Sequence, residues 1–247
     1  MNAMLPRLAR GLGDVIFPPV CAHCREVVES DGPYRHLCER CAGQLEFVQA
    51  PHCGTCGHPY YGELEEEERR MCPHCEGLAP AFRAGRTAVL FKGPARALVI
   101  ELKYHRGVHV LADMQAIFRR APALLDHVRD AIVVPVPLHA RKERERGYNQ
   151  TVLIADKLVE AAGGKTRREM LLRRTVDTAT QTAFDRQTRR ANLKNAFALH
   201  RGAQLNPAQH YILIDDVFTT GSTLNSCALV LRRAGVLNLD VVTFGHG

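Results

Sequence analysis

A chain of 247 residues, 46% apolar and 24% charged, has room for one large globular domain or for a medium one with a small appendage. No apolar run approaches the roughly 20 residues that span a bilayer, so a transmembrane protein is not expected. The net charge of +7 is concentrated: residues 139–201 hold 15 Lys/Arg against 7 Asp/Glu, which points to a phosphate-rich ligand or partner at that segment.

In chain order, residues 1–19 mix Arg7, Arg10 and Asp14 with short apolar stretches. They lack the apolar core and small-residue cleavage site of a signal peptide. A short amphipathic helix packed on the domain is expected in preference to a membrane-surface anchor, and a cytoplasmic location is the corresponding expectation. Residues 21 to about 80 are rich in Cys, His, Gly and Pro and carry little apolar periodicity, so this stretch needs a staple other than a core. We place a domain boundary here, with a small module over 1–80 and a larger domain over 81–247.

The staple is legible. Cys21/Cys24, Cys38/Cys41, Cys53/Cys56 and Cys72/Cys75 form four C-x-x-C pairs. Each pair brings two thiolates to one site, and two pairs complete a tetrahedral, coordinatively saturated zinc site with a structural role. Sequential pairing of neighbouring pairs leaves intervals typical of zinc ribbons. An interleaved pairing, an iron–sulfur cluster, an unmetallated second site, or a ligand replaced by His23, His52, His58 or His74 remain open at this point. Glu63–Glu68 reads as a solvated tip, and Cys227 as a small buried residue.

From about Arg86 the pattern becomes that of an α/β domain. Strands are expected at Thr87–Phe91, Ala131–Val136, Met170–Leu172, Tyr211–Ile214 and Leu239–Phe244, and helices at Gly93–Leu102, Val108–Arg120, Asn149–Ala162 and Thr223–Ala234. Thr175–Arg190 has no apolar period and reads as a mobile loop. Alternating strands and helices imply a mostly parallel sheet covered on both faces.

The most informative stretch is Tyr211–Thr223. A four-residue apolar strand delivers Asp215 and Asp216 to its C-terminal end, and Thr219, Thr220, Gly221, Ser222 and Thr223 follow before a helix begins. Ligands of open α/β sheets bind at that edge. The glycine permits a tight turn, while backbone N–H groups, hydroxyls and a helix N-terminus suit a phosphate monoester. The two carboxylates can accept hydrogen bonds from vicinal hydroxyls of a ribose. A P-loop is excluded, because Gly-x-x-x-x-Gly-Lys-Ser/Thr is absent.

Residues 211–223 resemble the signature of type I phosphoribosyltransferases. Together with the cysteine pairs, Arg146-Gly147-Tyr148-Asn149-Gln150 and Arg189-x-x-Asn192-Leu193-Lys194-x-x-Phe197, they make nearly the whole chain, from Pro18 onward, resemble the ComF competence-protein family. The resemblance implies the type I phosphoribosyltransferase fold behind a zinc-ribbon module. It implies phosphoribosyl pyrophosphate as ligand, with Asp215 and Asp216 on the ribose hydroxyls and Thr219–Thr223 on the 5′-phosphate. It also implies a part in natural competence, with incoming single-stranded DNA and other DNA-uptake proteins as partners. No segment for recognising an acceptor base is identified, so an active transferase with an unknown acceptor and a non-catalytic ligand sensor both stand beside the competence reading.

The basic residues Arg141, Lys142, Arg144 and Arg146 follow the 131–136 strand and read as a loop beside the ligand, where Arg forks and a shared Mg²⁺ suit a pyrophosphate. Thr180, Gln181, Arg186, Arg189, Arg190 and Asn192 read as a second basic element that closes over the ligand or tracks a DNA backbone. Lys103-Tyr104-His105-Arg106 sets a cation beside an aromatic, suited to phosphate contact and base stacking, although Tyr104 is read first as a core or hinge residue.

Overall fold

A computed structural model describes residues 18–28, 32–60, 72–176 and 196–247. The expected helix at the start of the chain, the Glu63–Glu68 tip and nearly all of the 175–195 segment lie outside the described residues.

The sheet is built around β6 (His210–Phe218), flanked by β7 (Asn238–His246) and β2 (Ile132–Pro135). Beyond these lie β1 (Gly85–Leu90) next to β7 and β3 (Arg167–Arg168) next to β2, and all of these pairings are parallel. The α/β class with a mostly parallel sheet is therefore as expected. The unbroken apolar runs in β6 and β2 follow from this geometry. Tyr211, Ile212, Leu213 and Ile214 are all buried, because strands in the middle of a covered parallel sheet face apolar layers on both sides. Each such Ile or Leu stabilises the fold by roughly 1.5–3 kcal/mol.

One layer consists of α2 (Gly93–Tyr104), α3 (Leu111–Arg119), α4 (Pro122–His127) and α6 (Gln150–Ala162), which bury Leu98, Leu102, Ile117, Phe118, Ile154 and Leu158 against Ile212, Ile214 and Val242. The opposite layer holds α7 (Ser222–Arg233) and a separate antiparallel pair, β4 (Leu172–Arg174) with β5 (Phe197–Leu199). The expected strand at Met170–Leu172 is thus shifted, and it joins this small sheet instead of the main one. The single helix expected over 108–120 opens with a 3-10 turn, Val108–Val110, before α3. It stops short of Pro122, whose ring disfavours helix at the residue before it.

Two further expectations need correction. The stretch from Arg141 to Arg146 is a helix, α5 (Ala140–Arg146), where a loop was expected. Its residues are strong helix formers, the His139 side chain accepts the Arg141 N–H, and Gly147 at φ 91° supplies a left-handed stop. Tyr104 is 70% exposed, because it ends α2 two residues after the last buried position, Leu102, and so lies on the opposite face of the helix.

The cysteine-rich segment contains α1 (Glu39–Ala42) and folds onto the β1 side of the domain. Residues of its first half join the α2/α3 core and residues of its second half join the α7 core, so the two halves cover opposite faces. Between them, Glu46–Val48 runs antiparallel along β1, with Val48 N–H donating to Ala88 O and Leu90 N–H to Glu46 O. That pairing covers the open edge of the sheet.

Candidate functional site

The eight N-terminal cysteines form two clusters, Cys21/Cys24/Cys38/Cys41 and Cys53/Cys56/Cys72/Cys75, with the sulfurs of each within 4.8 Å of one another. This is the sequential pairing; the interleaved one is ruled out. Cys24–Cys38, Cys53–Cys75 and Cys56–Cys72 lie 3.6, 3.9 and 3.7 Å apart. Sulfurs bound about 2.3 Å from a tetrahedral zinc would sit about 3.8 Å apart, so the donor sets fit the ion in type and spacing. Burial raises the Cys41 thiol, and hydrogen bonding with Cys53 raises that of Cys56, so four thiolates need a cation to coexist. Gly57 follows the third cysteine pair at φ 77°, and a Cβ there would lie 3.0 Å from the Thr87 amide nitrogen, so glycine lets the second ribbon settle on β1.

The first ribbon is tied to α3 by the buried Asp113, whose two oxygens accept the Arg35 and His36 N–H groups at 2.8 and 2.7 Å. The second is tied to α7 through the chain that leaves it. Asn225 accepts the Ala81 N–H at 2.7 Å and donates to Ala79 O at 2.9 Å, and Arg232 donates to Ala81 O at 2.6 Å.

At the C-terminal edge of the sheet, β6 continues through Asp215 and Asp216 to Phe218, further than the apolar run suggests. Neighbouring strand residues face opposite sides. Asp216 points into the α2/α6 layer, where Oδ1 accepts from Lys103 Nζ at 2.8 Å and Oδ2 from Gln150 Nε2 at 2.9 Å. Asp215 faces the α7 layer, and its Oδ1 accepts the Asp216 N–H at 2.8 Å. Burial, together with the Asp216 charge, raises the Asp215 carboxyl to about 7. Burial also acts to lower Lys103, but the Asp216 carboxylate outweighs it and leaves the ammonium raised. On that charge balance the site holds one firm ion pair and one carboxyl poised to titrate near neutrality.

The turn after β6 is built for a close approach. Gly221 lies at φ 66° and caps α7 without a side chain, while the Ser222 N–H, the first of the helix, points to Thr220 Oγ1 at 3.4 Å. A Cβ at Gly221 would fall 2.5 Å from Phe218 Cζ and 3.0 Å from Leu78 Cδ2. Thr220 and Ser222 hydroxyls lie 2.9 Å apart, and Thr219 is exposed at the tip. Thr219–Thr223 thus sit together at the mouth of the turn.

Of the basic residues, Arg146 donates to Gln150 Oε1, extending the chain Arg146–Gln150–Asp216, and its guanidinium lies 6.0 Å from the centre of the Tyr104 ring. Arg141 pairs with Glu145 along exposed α5 at 2.9 Å. Lys142 lies on the same helix. Asn149, which caps α6, donates to Val136 O at 3.1 Å and so fixes the α5–α6 corner against the end of β2. Lys103 and Gln150 are the residues that sequence reading did not assign to the carboxylates. Gln150 closes the Arg146–Gln150 motif, which was the available signal; Lys103 was seen as a phosphate contact and not as the partner of Asp216. The basic element from Thr180 to Asn192 lies outside the described residues. No described helix is long and apolar enough to cross a membrane.

The double zinc ribbon domain family matches residues 12–76. Competence protein F of Haemophilus influenzae is 29% identical over 235 residues, covering 90% of this chain and 94% of its own length. DNA utilization protein YhgH of Escherichia coli K12 is 30% identical over 196 residues, 76% of this chain and 81% of that one. Competence protein ComFC of Bacillus subtilis is 21% identical over 243 residues, with 90% and 92% covered. Among solved structures, a hypoxanthine phosphoribosyltransferase from Staphylococcus aureus aligns over 54% of this chain and 62% of its own, at 16% identity and a TM-score of 0.34. With two ribbon clusters ahead of a parallel-sheet domain, and with that identity over most of its length, the chain belongs to the competence protein F/YhgH family.

Proposed function

We propose that this protein binds phosphoribosyl pyrophosphate with Mg²⁺ at the C-terminal end of β6, and that it acts in the cytoplasm in DNA uptake or utilisation, in contact with single-stranded DNA. The observation that carries the ligand is the strand–turn–helix unit, in which a tight turn at Gly221 leads into α7 and Asp216 is held beside it by Lys103 and Gln150. Thr219–Thr223 take the 5′-phosphate. Each Asp216 oxygen already accepts one hydrogen bond and retains a lone pair, enough for a ribose hydroxyl on either oxygen. Asp215, on the other face, adds charge to the site when ionised. Arg146, linked through Gln150 to Asp216, supplies with Arg141 and Lys142 the cations for the pyrophosphate in this reading, and Mg²⁺ would neutralise the remaining charge. Both zinc ions serve as structural staples. The part in DNA uptake is taken from the relatives' names together with the basic segment 139–201.

Calorimetry of zinc-loaded protein with phosphoribosyl pyrophosphate and Mg²⁺ is the test. Saturable binding abolished by Asp216→Asn is expected; folded protein that takes up no ligand refutes the reading. Release of pyrophosphate only with an added acceptor would make the protein a transferase, and binding without any release would make it a sensor. For DNA, the expected signature is affinity for single strands that falls steeply as salt rises.

A further inference from the structure

We propose that His58, His74 and His246 form a third metal site, taking a divalent transition-metal ion such as Zn²⁺. His58 lies two residues after Cys56, His74 lies inside the Cys72–Cys75 turn, and His246 ends β7, so the second ribbon and the main sheet each contribute. The His58 and His74 rings stack 4.1 Å apart, and His246 meets them edge-on at 4.9 and 4.8 Å. One ring nitrogen from each lies within 4.8 Å of the other two. Imidazole ligands about 2.0–2.1 Å from a tetrahedral zinc would sit roughly 3.4 Å apart, so small side-chain rotations of about 1 Å close the site.

His246 is the independent sign that something is held here. It is 2% exposed, and neither of its ring nitrogens has a hydrogen-bond partner. Buried polar groups in native proteins are seldom left so, and a metal ion is one of the partners that resolves them. The electrostatics agree. Four thiolates around one Zn²⁺ leave two net negative charges beside His58 and His74, which favours a second cation there. Three neutral nitrogen ligands suit zinc and leave a fourth position for water or an anion. The site also abuts the turn after β6, because the Phe218 ring stacks on His246 at 5.1 Å and is the wall that Gly221 packs against. The proposal stands independently of the sugar-phosphate reading.

The test uses the full chain without a histidine tag, equilibrated with Zn²⁺ and freed of excess, with bound metal counted by mass spectrometry. Wild type is expected to hold one equivalent more than His246→Gln, with the two ribbon ions retained in both. Equal metal content in the two proteins overturns the proposal. Should His246→Gln fail to fold, His74→Gln, at a half-buried position, makes the same comparison. Co²⁺ added to protein already holding two zinc ions gives the second readout. Visible d–d absorption without a thiolate-to-cobalt charge-transfer band supports the histidine site, and absorption that carries the thiolate band, or no absorption, refutes it.

Discussion

Replacing Lys103 by Met removes the cation that neutralises Asp216 while keeping most of the apolar stem that α2 packs against the sheet. The ammonium lies 2.8 Å from Asp216 Oδ1, with the two side chains 22% and 6% exposed. Breaking a buried pair by deleting one partner costs about 3–5 kcal/mol, and the partial exposure of Lys103 lowers the expectation to about 2–3 kcal/mol. Gln150 remains as a donor to the other oxygen, which keeps the loss from the upper end of that range. Asp216→Asn removes the charge and should cost less, about 1–2 kcal/mol, because the amide oxygen still accepts one bond. The double variant then tests the pair itself. If the ion pair is what couples the two residues, its loss should fall short of the sum of the single losses by about 1–2 kcal/mol. Urea unfolding of zinc-saturated protein at neutral pH reads all three. A coupling below about 0.5 kcal/mol would show that Lys103 and Asp216 act independently and would remove the basis for treating Asp216 as a held acceptor. In ligand calorimetry, Lys103→Met should weaken phosphoribosyl pyrophosphate by at least about tenfold, or about 1.4 kcal/mol, since a freed carboxylate loses its orientation.

Gly221→Ala must place a Cβ against Phe218 and Leu78 at a positive φ, and a loss of roughly 2–4 kcal/mol in unfolding free energy is expected; a change within about 0.5 kcal/mol would mean the turn is not the tight one described. His127 is lowered to about 4 by burial, against the pull of Asp240, so the unfolded chain binds its proton more readily. Stability is therefore full above about pH 6.5 and is lost as pH falls toward 4, by roughly 2 kcal/mol between pH 7 and 5. His127→Gln should flatten that slope in paired urea curves at the two pH values, apart from zinc release common to both proteins. Cys72→Ser should impair ligand binding more than Cys38→Ser at equal overall helicity, because the second ribbon leads directly into the contacts on α7; equal losses in calorimetry would contradict that route.

The α/β architecture and the strand–turn–helix unit were legible because their signals are local. An apolar run, two acidic residues, a glycine turn and an amphipathic helix follow one another within some two dozen positions. The cysteine pairs were legible as ligands for the same reason, but their order was not, because both pairings satisfy the spacing and only the sulfur positions decide. At Arg141–Arg146 the charge pattern suggests a loop, whereas the helix propensity of the same residues and the Gly147 stop decide for a helix. The facing of the carboxylates was hidden by where the strand was thought to end. Once β6 runs on to Phe218, the two-residue alternation sends Asp215 and Asp216 to different layers. His246 gave no signal at all: it closes a strand with no motif around it, and its partners His58 and His74 are distant in sequence.

The placement of the ribbons explains why a parallel-sheet domain carries them. A five-stranded sheet whose edge strand β1 is unpaired on one side presents free backbone groups, and the segment joining the ribbons covers that edge through Glu46 and Val48. With too few apolar residues for a core of its own, this segment depends on zinc for rigidity, and each cluster anchors to a different layer. The first reaches α3 through Asp113, behind the helices that carry Lys103 and Gln150. The second reaches α7 and Gly221 through Leu78, Asn225 and Arg232. Asp216 and the Thr219–Thr223 turn therefore rest on separate cysteine-cluster supports on the two sides of β6. On the proposed function, a ligand that needs both groups at once requires both supports in place, which gives the two four-cysteine clusters a physical reason to accompany that edge.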